Sequence, residues 1–312
     1  MPVARRNVLK AGAAMVSAWT GPLTIAQAGE SESVSAPQGA TRAVTMAERL
    51  PGADSKVTVE RRGQIVLIGI NRPYIQNRVD PETYLGLAKA YYQYEHDPSL
   101  RAAVLFGHGD NFSRGIDVDA FQALAAAGRP LPSDPDIIDP LARTNGLSKP
   151  LIVVVHGDTW NMGHELHLAA DIRIAAADTR FGQDENTHGR FPGGGATVRF
   201  VRDAGWANAM RYMLTGDHWS AEEALRMGVV QAIAPTPETA LEAGAAMATK
   251  IAACGPLGVK ATLASAHLTI DSSEAEALSK LNAQYRALYG TEDFKEGRKA
   301  EAEGRPPVYQ GR

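Results

Sequence analysis

The chain has 312 residues, 44% of them hydrophobic and 21% charged, enough apolar material for one large globular domain or two modest ones. A net charge of −3 gives no electrostatic footprint for nucleic acid or for an acidic membrane surface. The single cysteine, Cys254, excludes an internal disulfide and any multi-cysteine metal site.

The N-terminus reads MPVARRNVLKAGAAMVSAWTGPLTIAQAGE. Arg5 and Arg6 precede a mildly apolar stretch, and Ala26-Gln27-Ala28 offers a small-residue cleavage site before Gly29, in the order an export signal requires. Gly12, Ser17, Thr20, Gly21 and Pro22 break the stretch too often for a spanning helix, so no stable membrane insertion is expected. RRNVLK resembles the twin-arginine signal, which carries proteins that have already folded in the cytoplasm. A lone cysteine suits that route. Residues 1–28 are therefore expected to be a signal peptide and the mature protein periplasmic or otherwise exported. If Met46 is the true start, the protein is cytoplasmic. Residues 29–56, rich in Ser, Ala, Gly and Pro, read as a flexible leader.

From Val57 the pattern changes. KVTVERRGQIVLIGINRP holds two β-rich runs around the Arg62-Gly63 turn, a hairpin signal. Residues 81–96 read as a helix ending before Pro98. AAVLFG (102–107) and PLIVVVHG (150–157) are short apolar runs bounded by turn residues, as buried strands are. A helix near 163–170 and a strand around 172–175 follow, and the alternation of strand and helix predicts a parallel α/β arrangement. Beyond LTGDHWSAEEALRMGVV the chain reads as mostly helical, with helices over 237–253, 256–270, 274–289 and 292–303.

Two glutamates, Glu165 and Glu185, each follow a glycine-containing turn. Carboxylates brought to one site can divide the work of a water addition, one taking a proton and the other giving one. The loops GDNFSRGIDV (109–118) and HGDTWNMGHEL (156–166) could supply backbone donors, and the second runs from a buried strand into a helix whose N-terminus suits a developing oxyanion. These glycines are equally consistent with simple turns, and Glu185 with an exposed loop carboxylate. His156, His164, His167 and His188 crowd the same stretch. HELH (164–167) spaces its histidines three apart, not the four of the HExxH metalloprotease pattern, so packed or hydrogen-bonded histidines are expected and no metal.

At these residues the chain resembles the crotonase, or enoyl-CoA hydratase/isomerase, superfamily. NRP with Asn77, FSRGIDV, VHGDTWNMGHELHLAADI, FGQDEN, FPGGGATVRF, MLTGDHWSAEEALRMGVVQAI and TEDFKEGRKA stand in the family's order and spacing, covering about residues 57–312. The resemblance implies an α/β crotonase-like (ClpP/crotonase) fold. Its core of stacked ββα turns would span 57–255, with a C-terminal helical region at 256–312 that builds homotrimers, often paired into hexamers. It implies an oxyanion hole from the backbone N–H groups of Ile116 and Met162, with Glu165 activating water and Glu185 delivering a proton to the α-carbon. Gly115, Asp117, Gly163, His164 and Asn77 would lie against the substrate. Isomerases generally lack one of the two glutamates, so the pair favours a hydratase, a lyase of fatty-acid metabolism. No separate cofactor is implied, coenzyme A being part of the acyl-CoA substrate.

Three departures bear on that substrate. NMG (161–163) stands where the family usually carries three glycines, so Met162 loses freedom at positive φ. Tyr74, Ile75 and Gln76 replace residues whose charge usually helps to hold CoA, and Asp119 replaces a frequent lysine. An acidic group facing a phosphate is unfavourable. Together with the export signal, these changes weaken the claim on CoA, and the histidine cluster and missing basic contacts support an alternative in which a crotonase-type hydrolase cleaves a carbon–carbon bond of a β-diketone without CoA. A further alternative is a non-catalytic binding protein on the same fold.

Overall fold

The arginine-glycine turn at Arg62-Gly63 closes a hairpin of β1 (Val57–Arg62) and β2 (Ile65–Ile70), as the sequence predicts, with Gly63 at a φ of 61°. In this computed structural model residues 55–128, 134–188, 190–271, 287 and 290–312 are described, all within one compact unit, Arg49–Arg312. The expected signal, nearly all of the leader and, apart from residue 287, the helix expected at 274–289 lie outside the described residues. No helix among the described residues is long and apolar enough to cross a membrane.

From β2 onward the chain adds β3 (Ala102–Gly107), β4 (Leu151–Val155), β6 (Ile172–Ala176) and β9 (Ala232–Ala234), giving a six-stranded sheet ordered β1-β2-β3-β4-β6-β9. Only the β1–β2 pair is antiparallel. The apolar runs are continuous because both faces of the sheet are covered. Leu67, Val104, Ile152 and Val154 point to one side, against Ala240 and Ala248 of helix α7 (Pro237–Ala252). Val66, Ile68, Leu105 and Val153 point to the other, into the larger core with Leu87 and Tyr91 of α1 (Pro81–His96). Helix α7 comes so close that a Cβ on Gly244 would overlap the Val154 side chain.

Helix boundaries follow local chemistry. Asp80 caps α1, its carboxylate accepting from Thr83 N at 2.7 Å, with Pro81 in the first turn. Thr236 and Thr239 cap α7 reciprocally, ahead of Pro237. Helices α8 (Pro256–Asp271) and α9 (Glu292–Glu303) complete the C-terminal part.

A second, three-stranded sheet was not legible in the sequence. Strands β5 (Asp158–Trp160), β7 (Arg180–Gly182) and β8 (Trp219–Ser220) are two or three residues long, too short for any period to show. They matter because β4 and β6 each hand the chain on to this sheet within a few residues. Glu165 follows β5 and Glu185 follows β7, each a few residues beyond its strand. Helices α4 (Ala196–Ala204), α5 (Trp206–Thr215) and α6 (Ala221–Arg226) then cover it.

Candidate active site

The chain leaves β3 through a loop whose shape is set by one asparagine. Asn77, buried and at a φ of 53°, donates from Nδ2 to the carbonyls of His108 and Asn111, both at 2.7 Å, and its Oδ1 accepts from Arg72 N at 2.7 Å. Arg114 pins the same loop to β5 through Asp158 at 2.6 Å and lies 4.1 Å over the Trp160 ring. The loop ends in Gly115 (φ 91°) and Ile116, just before α2 (Val118–Ala126).

On the facing side β5 turns through Asn161 into helix α3 (Met162–Leu168). Gly163 lets α3 settle onto Ser113, since a Cβ there would overlap the Ser113 carbonyl oxygen. A Cβ on Gly115 would stand 3.6 Å from Met162 N, so the two loops meet at their backbones. The N–H groups of Ile116 and Met162 border one cleft, and neither donates to a backbone acceptor among the described residues. Backbone N–H groups left without a backbone acceptor at a cleft are the kind of donor a developing oxyanion would need. The positive φ that three glycines would serve falls on Asn161 (φ 53°, ψ −119°), not on Met162, which is already helical. Asn161 repays that conformation by donating to Asp184 Oδ1 at 2.8 Å and accepting from Asp184 N at 2.9 Å, which ties α3 to the segment carrying Glu185.

Glu165 sits in the first turn of α3, buried at 3% exposure, on a cleft of about 600 Å³ that Glu185 also lines. Its Oε1 accepts from Gly194 N at 2.6 Å and from Ala196 N at 3.3 Å. A Cβ on Gly194 would overlap the Glu165 carboxylate, so a larger residue there would displace it. Burial drives the Glu165 carboxyl up from 4.5 to about 7. The Ala196 and Gly194 N–H groups and Arg143 oppose the rise, and the nearby Glu185 charge adds to it. Glu185 opens a 3-10 turn (Glu185–His188) and is raised chiefly by burial. Gln183 and Arg190 hold the rise back. Two carboxyls whose protons are retained toward neutrality, one of them cradled by backbone N–H groups, form a site for acid and base work.

The other expected contacts fall differently. Asp117 borders the cleft but is held by Arg72 at 3.1 Å, and Arg72 also meets Asp80 at 3.3 Å. Asn77, Gly115 and Gly163 shape the loops from behind and are not walls of the cleft. His164 is fully buried on the far side of α3, facing Gln183 and aromatic rings instead of substrate space. Three exposed arginines, Arg78, Arg143 and Arg190, border the cleft, and the sequence reading named none of them. Arg78 and Arg190 have no ion-pair partner among the described residues. Gly194, Ala196 and Gln183 were also missed as parts of the site. The run of three glycines at 193–195 was the visible signal for the first two.

A larger, mainly apolar cavity of about 930 Å³ lies against α8 and α9. Its carboxylates Asp171 and Asp293 are taken by backbone N–H groups of Leu151, Gln310 and Gly311, so it offers no comparable chemistry. No group of three or more metal-binding side chains gathers among the described residues.

Residues 60–312 match the family model described as enoyl-CoA hydratase/isomerase. The chain belongs to the enoyl-CoA hydratase/isomerase family. Enoyl-CoA hydratase EchA19 of Mycobacterium tuberculosis is 35% identical over 263 residues, covering 81% of this chain and 96% of that protein. The (E)-benzylidenesuccinyl-CoA hydratase of Thauera aromatica is 33% identical over 264 residues, with 82% and 99% covered. Among solved structures, enoyl-CoA hydratase EchA1 from Mycobacterium marinum superposes with a TM-score of 0.76 at 36% identity, covering 82% of this chain and 99% of that one. The enoyl-CoA hydratase from Mycobacterium tuberculosis H37Rv gives 0.74 at 37% identity, with the same shares covered. The fold is thus that of the crotonases, and the protein is an enzyme of this family with hydratase-like function.

Proposed function

We propose that the protein adds water across the α,β double bond of an enoyl thioester of coenzyme A. The observation that carries this reading is that Glu165 and Glu185 share one cleft with Ile116 and Met162, whose N–H groups donate to no backbone acceptor among the described residues. The thioester oxygen takes the two N–H groups, which stabilise the charge that develops there. Ionised Glu165 accepts a proton from water as the water oxygen bonds to the β-carbon. The enolate then takes a proton from Glu185 at the α-carbon, and proton exchange between the carboxyls restores the resting state. Curated relatives named as hydratases of CoA esters support the reading.

Purified protein should consume crotonyl-CoA, followed by loss of the conjugated enoyl absorbance, and should leave a β-diketone untouched. Glu165→Gln and Glu185→Gln should each lower turnover by orders of magnitude with the fold retained. Turnover of the diketone alone would overturn the reading. The resemblance further supports a trimer or paired trimers, which light scattering distinguishes. The twin-arginine-type leader supports export of the folded enzyme. Full-length protein that stays uncleaved in the cytoplasm would refute export.

A further inference from the structure

Behind Glu185 lies a buried pair of side chains that this chemistry does not yet use. Gln183 is 1% exposed, and its Nε2 stands 2.9 and 3.0 Å from the two carboxylate oxygens of Glu185. Its Oε1 stands 2.6 Å from Nδ1 of His164. The His164 ring is fully buried and meets Phe181, Phe200 and Trp219 edge-on, with centroids 5.9, 5.0 and 5.1 Å away. Its Nε2 has no hydrogen-bond partner among the described residues. An imidazole walled by aromatic rings, with one nitrogen unpaired, costs more to bury than an apolar side chain of similar size. The hydrogen bond it does make goes to the side chain that touches Glu185.

Donor and acceptor chemistry fixes the direction of this chain of contacts. A carboxylate only accepts, so Gln183 turns its NH2 toward Glu185 and its carbonyl oxygen toward His164. That oxygen also only accepts, so Nδ1 of His164 carries the hydrogen and Nε2 is bare. Burial holds the imidazole down to about 4, so the ring is neutral under working conditions.

We infer that His164 is a positioning residue for proton delivery, capping the Gln183 carbonyl so that the amide presents only NH2 to Glu185. The inference rests on Glu185 being the acid of the proposed hydration. A protonated Glu185 needs an acceptor for its O–H. An amide turned end for end would offer its carbonyl oxygen there and hold the proton away from the substrate. With that oxygen occupied by His164, the proton passes from the Glu185 carboxyl to the α-carbon, where the enolate electron pair forms the C–H bond. The negative charge then rests on a carboxylate that already faces the Gln183 NH2.

The test compares His164→Leu, His164→Asn, Gln183→Leu, the His164→Leu/Gln183→Leu double variant and Glu185→Gln on crotonyl-CoA, with melting temperature recorded for each. His164→Leu should lower kcat about tenfold or more with KM within about twofold, the pattern of a lost proton-transfer contribution. His164→Asn should recover most of the loss, because Asn Nδ2 stands as many bonds from Cα as His Nδ1 and donates as it does. The double variant should be no slower than Gln183→Leu alone, since His164 acts through Gln183. His164→Val replaces the leucine variant if the latter does not fold. Wild-type kcat in His164→Leu, no recovery in a stably folded His164→Asn, or additive losses in the double variant would each overturn the inference. An inactive Glu185→Gln beside normal His164 variants removes the relay alone. A fully active Glu185→Gln removes the acid assignment as well.

Discussion

Replacing Glu165 by glutamine should stabilise the protein at alkaline pH while abolishing its chemistry. The carboxyl is 3% exposed, and burial raises it from 4.5 to about 7 in the fold. Between those values the unfolded chain has released the proton that the folded chain retains. Stability therefore falls as pH rises through this window, fully present below about 4.5 and fully lost above about 7. A shift of that size at 1.36 kcal/mol per unit amounts to roughly 3 kcal/mol, an upper figure because Glu165 and Glu185 titrate as a coupled pair. Glutamine keeps an oxygen for the Gly194 and Ala196 N–H groups and removes the charge. Urea denaturation of both proteins at matched concentration, at pH 5 and pH 8, reads the effect. Fixed concentration matters because any assembly adds its own linkage. The variant should gain on the wild type by about 2–3 kcal/mol between the two conditions. Parallel stability curves across that range would show that the carboxylate carries no desolvation cost, and the pH argument would fail with it.

Two further outcomes follow from the same cradle. Gly194→Ala pushes a Cβ into the Glu165 carboxylate and should lower kcat by about a hundredfold, whereas the Cβ of Gly193→Ala meets only Phe191 at 3.7 Å and should leave kcat within about threefold. Equal effects in steady-state assays of the two variants would break the link to Glu165. Because the base must be ionised, the acid limb of kcat/KM should fall near pH 7, and it should be missing from the residual activity of Glu165→Gln. An acid limb near 4 in the wild type would refute the burial of the working base.

How much of this was visible beforehand depends on the range of the interaction. The hairpin, the helix at 81–96 and the strand at 102–107 match because turn residues and continuous apolar runs are local signals. The small sheet that sets the two glutamates apart was invisible, since its strands are two or three residues long. Glu165 and Glu185 could be named from neighbouring motifs, but Glu165 is covered by the turn at 193–195 and the start of helix α4, which no local pattern connects to it. His164 was misplaced for a geometric reason. It adjoins Glu165 in sequence, yet consecutive residues on a helix point about 100° apart, so one faces the cleft and the next the core.

Tyr74, Ile75, Gln76 and Asp119 stand at motif positions where the family resemblance places cations. A phosphate responds to the field of the whole cleft and not to one segment of chain. There Asp117 is matched by Arg72, and Arg78, Arg143 and Arg190 border the opening from three separate stretches of sequence. Arg78 and Arg190 are exposed and in no ion pair among the described residues, although Arg190 already opposes the rise at Glu185 and Asp119 borders the same cleft. The cleft therefore has cations to meet an anionic carrier.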